Sequence, residues 1–294
     1  MKAIAAGEHP ERVIGTVFLC CGITAVGFVL CISAYLVIAG MPAIRTLGAG
    51  PFLLGTIWQP TAATVEPSYG ILPFILTSLY GTVGAVLLGT PIGLLTAVFL
   101  AKTAPKRIGA LIRMAVELLA GIPSVVYGLV GMILLVPAIQ NAFRLSSGAT
   151  LLAAVLVLSI MILPSIVNVS VTALTAVPKE YEEASMALGA TETETYLKVS
   201  LPAAKSGVAA SIVLGAGRAM GEAMAIIMVS GNVANMPGPL KSVRFLTTAI
   251  ASEMSYAPFG SLQRDALFSI GLVLFCFIML INVALNLFVK GKRG

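Results

Sequence analysis

Few side chains in this chain are equipped for covalent chemistry. His9 is the only histidine and Asp265 the only aspartate, so a Ser–His triad within the apolar segments, a two-Asp dyad and a His-rich metal centre are all excluded. Cys20, Cys21, Cys31 and Cys276 stand in apolar runs, where the inert thiol is favoured over the thiolate; they imply neither a disulfide framework nor a metal site. The sequence has no GxxxxGK[ST] loop, so any ATP that drives this protein is hydrolysed on another chain, and no cofactor of its own is expected. The chemistry that remains is charge. Arg113 and Glu117, and Arg218 and Glu222, are pairs four residues apart inside otherwise apolar stretches, and ionisable groups in such places mark routes for ions or polar substrates.

The elements that hold these charges follow from composition. The 294 residues are 58% hydrophobic and 10% charged, against about 25% charge in soluble domains, which points to an all-α protein integral to the lipid bilayer. The net charge of +6 is spread thinly, without the basic face that nucleic acid requires. Apolar runs, charge-free except where they hold the two pairs above, place six helices of roughly 20 residues or more, the length needed to cross a bilayer: Val13 to Ile38, Leu72 to Leu100, Gly109 to Ile139, one within Leu145 to Pro178, Gly207 to Ser230, and Ala266 to Val289. The first run is too long for the core of a cleaved signal and its flank mixes both signs, so it is expected to be retained. The organisation is thus a tail at 1–12, one transmembrane domain at 13–290 containing a loop at 178–206, and a tail at 291–294.

Depth separates the two arginines. At 1.5 Å per residue, Arg218 lies roughly 17 Å into its helix, near the middle of a hydrocarbon core about 30 Å thick. Arg113 is only about 9 Å from Arg107 and can snorkel to the interface. Arg218 is therefore the better substrate ligand, and its guanidinium fork suits an oxyanion. Glu222 is expected on the same helix face, holding Arg218 between turnovers, whereas Arg113 and Glu117 read as a structural ion pair.

With the N-terminus inside, the inner connections carry eleven Lys and Arg (Lys2, Arg12, Lys102, Lys106, Arg107, Lys179, Lys198, Lys205, Lys290, Lys292, Arg293) and the outer ones five (Arg45, Arg144, Lys241, Arg244, Arg264). Both termini are then cytoplasmic. The inner loop Val177 to Gly207 holds five of the chain's twelve acids. It reads as a short helix from Lys179 to Leu188, a left-handed break at Gly189, a second helix starting at Thr191, and a further element opened by Pro202. Loops that lie on anionic lipid favour Lys and Arg; an acidic protrusion fits a protein partner instead.

Within this loop Glu183-Ala184-Ser185, then Gly189, then Val199-Ser200-Leu201-Pro202 resembles the EAA motif of ABC importer permeases, with Ser and Val standing where the family has Ala and Ile. GIPSVVYGL at Gly121 to Leu129, GRAMGEAMAIIMVSGN at Gly217 to Asn232, and the stretch YGILPFILTSLYGTVGAVLLGTPIGLLTAVFLA are similar to the PstC type of phosphate ABC importer permease. The resemblance implies a six-helix type I importer permease (MetI-like) fold in the cell inner membrane. It also implies that Glu183, Ala184, Gly189, Leu201 and Pro202 dock on an ATPase, and that the partners are a second, A-type permease, two ATP-binding subunits and an extracytoplasmic phosphate-binding protein. Pro123 should kink or restart helix three, exposing N–H groups near Ser124 that suit an anion. Glycines in helices two and five read as close helix contacts. Two other readings stay open: a permease for another oxyanion such as molybdate, sulfate or phosphonate, and a proton-coupled secondary transporter using Glu117 and Glu222, although no internal repeat is visible.

Overall fold

A computed structural model describes residues 8–61 and 66–290, apart from the side chains of 8–13 and 284–290. Residues 1–7 of the expected N-terminal tail and all of 291–294 lie outside the described residues. The first helix, α1, runs Glu8–Leu47, longer at both ends than the charge-free run suggested. Most of residues 14–38 are exposed, as an apolar helix facing lipid should be. Its last third docks on the final helix, α14 (Leu262–Lys290). A Cβ on Gly40 would come within 2.8 Å of Leu272, and the Ser269 hydroxyl donates to the Gly40 carbonyl at 2.5 Å.

The centre is α7 (Leu151–Thr175), whose Leu158, Met161, Ile162 and Ile166 are almost fully buried. Helix α3 (Leu72–Val98, prolonged by a π-helical turn Phe99–Thr103) packs along it through glycine: Gly84 faces Val155, Gly89 faces Ile162 and Gly93 faces Ile166. Helix α11 (Lys205–Gly221) lies on the other flank, tied by a buried Ser170–Ser211 hydroxyl pair at 2.9 Å. The small residues at these seams let backbones approach closely, as expected from their spacing.

Two of the expected helices are divided. Instead of one helix from Gly109 to Ile139, α4 (Lys106–Gly121) ends at an extended Ile122 with ψ 127, and a new apolar span begins at Ser124 and reaches Phe143. That span comprises α5 (Ser124–Val130), a π turn (Gly131–Leu135) and α6 (Val136–Phe143). The reason is Pro123, which cannot donate to the Leu119 carbonyl; the Tyr127 hydroxyl donates to that oxygen instead, at 2.7 Å. Pro123 therefore restarts the helix. The expected helix from Gly207 to Ser230 is likewise split, because Glu222 is extended (φ −73, ψ 131) between α11 and α12 (Met224–Val229). Five described helices are long and apolar enough to cross a membrane, or up to six if Glu192–Ala203 and Lys205–Gly221, bent by 73°, count as one.

The far end, opposite the acidic loop, has structure that periodicity did not reveal. After α1 come α2 (Ala49–Leu54) and a short antiparallel pair, β1 (Trp58–Gln59) with β2 (Ser68–Tyr69). They pack with α13 (Leu246–Glu253) around Phe52, Trp58, Ile71 and Phe74. Glu253 organises this end. It accepts from Trp58 Nε1 at 3.1 Å and Gln263 Nε2 at 3.2 Å and pairs with Arg244, which also holds the Asn232 carbonyl at 2.9 Å.

Candidate functional site

The two helix breaks stand side by side because α5 and α12 interlock through glycine. A Cβ on Gly128 would lie 2.8 Å from the Ala225 Cα, and one on Gly131 would lie 2.9 Å from Val229. Arg218 occupies the last turn of α11, just before the second break. It lines an open groove of about 470 Å³ between α11 and α14, together with Ser206, Ala210, Val213, Gly217 and Asn282. The walls are mainly apolar, and Arg218 supplies the charge.

Its partner differs from the expected one. Arg218 Nη1 reaches only the Ser165 hydroxyl, at 3.5 Å, and no ion pair joins it to an acid among the described residues. The i, i+4 geometry with Glu222 is lost because the helix stops at Gly221. Glu222 Oε1 instead accepts from the Ala225 N–H at 3.1 Å, capping the opening turn of α12, and the Glu222 carbonyl accepts from the Thr247 hydroxyl at 2.7 Å. Glu222 is a hinge cap, and Arg218 is left with hydrogen-bonding capacity directed at the groove. Ser124 sits at the first break, half-buried, outside the residues that line the groove.

The other expected pair also requires correction. Arg113 and Glu117 are both exposed, no ion pair within 4 Å joins them, and Arg113 Nη2 is 3.5 Å from the Leu100 carbonyl. They belong to α4, with its polar and apolar sides, and not to the apolar span that begins at Ser124.

The acidic loop folds as its sequence suggests. Helix α8 (Lys179–Ala187) is followed by Gly189 at φ +91, the left-handed value that glycine adopts at little cost. Thr191 then caps α9 (Glu192–Thr195) in a reciprocal box with Glu194, and a π turn (Tyr196–Ser200) leads to Leu201 and Pro202 in α10 (Leu201–Ala203). Glu183 and Ala184 point outward, and Leu188 at the tip is 91% exposed. Ser185 does more than replace an alanine, since its hydroxyl meets that of buried Thr195 at 2.9 Å and fixes the angle between α8 and α9.

Two interactions here escaped the sequence. Lys102, at the end of α3, pairs with Glu182 at 2.5 Å, and the Ser200 hydroxyl donates to the same carboxylate oxygen at 2.8 Å. Burial alone would raise the Glu182 pKa, but these hydrogen bonds and the charges of Lys102 and Lys179 outweigh it and hold the carboxyl below its usual range. In the sequence the partners are 80 residues apart, so no local pattern joins them.

Comparison with known proteins agrees with this arrangement. Residues 89–291 match the family described as binding-protein-dependent transport system inner membrane component. The chain is 39% identical over 269 residues to the probable ABC transporter permease protein YqgH of Bacillus subtilis, covering 89% of this chain and 86% of that one. It is 34% identical over 283 residues to the phosphate transport system permease protein PstC of Haemophilus influenzae, covering 87% and 88%. Among solved structures, a chain of the inward-facing MetNI methionine ABC transporter superposes with a TM-score of 0.59 at 23% identity, covering 76% of this chain and 96% of that one. A chain of a bacterial alginate ABC transporter in complex with a pentasaccharide-bound periplasmic protein gives 0.61 at 14% identity, covering 94% and 95%. The overall helical fold is thus shared with these transporter chains, and the chain belongs to the inner membrane components of binding-protein-dependent transport systems, as an ABC importer permease.

Proposed function

We propose that this permease carries inorganic phosphate as one half of a translocation pathway, paired with a second, homologous A-type permease. An extracytoplasmic phosphate-binding protein delivers the anion, and two ATP-binding subunits grip the acidic loops and drive the exchange between inward- and outward-facing states. The chain lies in the cell inner membrane with both termini cytoplasmic, following its distribution of Lys and Arg. It performs no covalent chemistry, and ATP is bound by the partner subunits. The observation that carries this reading is Arg218, a guanidinium without an acidic partner among the described residues, on the wall of a mainly apolar groove. Phosphate is mono- to dianionic near neutral pH, and two of its oxygens match the guanidinium fork. The relatives named PstC support phosphate as the oxyanion.

The test is uptake of radiolabelled phosphate by membrane vesicles containing the assembled transporter, with excess unlabelled phosphate, sulfate, molybdate or phosphonate. Only unlabelled phosphate is expected to compete, and Arg218→Gln is expected to abolish uptake while the subunits stay assembled. Competition by sulfate or molybdate at similar concentrations would reassign the substrate. Native uptake by an assembled Arg218→Gln complex would make Arg218 a structural charge.

A further inference from the structure

The acidic loop is joined to the membrane helices by two routes. One is the chain itself, which enters the loop from the end of α7 and passes from α10 into α11 through a 73° bend. The other is the carboxylate of Glu182. It receives Ser200 from the loop's own π turn and Lys102 from the π turn that ends α3, so three elements meet at one oxygen. The lysine and glutamate side chains are only 9% and 14% exposed, and Ser200 is buried, so water competes little for these contacts. The π turn sets Lys102 in position, and the Ala104 N–H closes it on the Phe99 carbonyl at 2.8 Å.

Helix α3 then runs the length of α7 on glycine contacts. At its far end Ser78 accepts from the Leu246 N–H at 3.0 Å, at the start of α13. The next residue, Thr247, donates to the Glu222 carbonyl at the break that follows Arg218. A displacement of α3 along its axis would thus reach the break beside the groove by a route separate from α11, which runs from the bend to the same break.

We propose that Lys102 is the positioning residue through which movement of the acidic loop reaches α3, its ion pair with Glu182 setting how much transport follows each ATP hydrolysed. The proposal rests on the reading of that loop as an ATPase dock. It is tested in the assembled transporter by measuring phosphate taken up per ATP hydrolysed, beside copurification of the ATPase subunits. Lys102→Met and Glu182→Gln should each lower that ratio by about tenfold, within the range of coupling free energies between sites, with the ATPase still bound. The double variant should be no worse than either single one. Lys102→Arg, and the exchange Lys102→Glu with Glu182→Lys, should recover part of the ratio, a rescue that lost packing alone would not allow. A native ratio in the single variants, loss of the ATPase subunits from them, or failure of both rescues overturns the proposal. Leu188→Asp at the exposed tip separates this from the docking reading. If it copurifies normally with the ATPase the dock itself is wrong; if it loses the ATPase while Lys102→Met stays fully coupled, only the role of Lys102 fails.

Discussion

The acidic loop and the groove treat charge in opposite ways. In the loop Glu182 is held by Lys102 and Ser200, and the exposed Glu194 by Lys198 at 3.0 Å and by Thr191. In the groove Arg218 has only a long contact to Ser165. For Glu194 and Arg218 physics alone would predict the reverse, because exposed charges such as Glu194 are screened cheaply by water and salt, whereas a charge between apolar walls gains most from a partner. The loop's pairs therefore serve geometry, fixing a rigid protrusion, and the groove's guanidinium, without an acidic partner among the described residues, is the group that the proposed anion would meet.

Arg218→Gln tests this contrast most severely, with an expected fall in uptake of roughly a hundredfold or more, the scale for removing a donor that stabilises charge. Arg218→Lys keeps the charge without the fork and should retain a measurable rate. Uptake that is equal for Gln and Lys would break the contrast. In the loop, Gly189→Val places a β-branched residue at φ +91, where left-handed backbone costs about 1–2 kcal/mol. Space around Gly189 is open, so the cost is backbone strain. ATP hydrolysis should then be uncoupled from uptake while insertion is intact, and normal coupling would show that the turn carries no mechanical load.

Glu222 gives a smaller and sharper comparison. As a cap it loses little in Glu222→Gln, whose amide oxygen can still accept from the Ala225 N–H, while Glu222→Ala should cost about 1 kcal/mol at the opening of α12. An effect of Glu222→Gln on phosphate affinity as large as that of Arg218→Lys would restore the counter-ion role. The smallest effect is in pH. The Glu182 carboxyl lies below its ordinary value of 4.5, so its stabilising contribution is fully present above that value and is lost as pH falls through the depressed one. Loop protection, read by amide exchange, should be flat from neutral pH to about pH 5 and decline only in stronger acid. A decline near neutrality would contradict the pairing with Lys102.

The sequence was most informative where structure is local. Gly189, the capping Thr191 and Pro202 each act within a few residues, and the loop they build is the one observed. The start of α3 at Leu72 and a disruption at Pro123, expected as either a kink or a restart, were legible for the same reason. The break at Glu222 was not, because no proline marks it and it is held by Thr247, from α13, a helix that the apolar pattern did not reveal. The apolar pattern also fused α4 to the span after it, although Lys106–Gly121 has polar and apolar sides. Lys102 with Glu182, and Glu253 with Trp58, were beyond reach, since each joins residues 80 or more positions apart that only packing of the helices brings together.

The interlock of Gly128 with Ala225 has a mechanical consequence. With no room for a methyl group between them, α5 and α12 cannot slide past each other without opening a void, and close-packed interiors resist that. Any displacement of one short helix would therefore carry the other, between the extended residues Ile122 and Glu222. The bolt on the second hinge is the Thr247 hydroxyl.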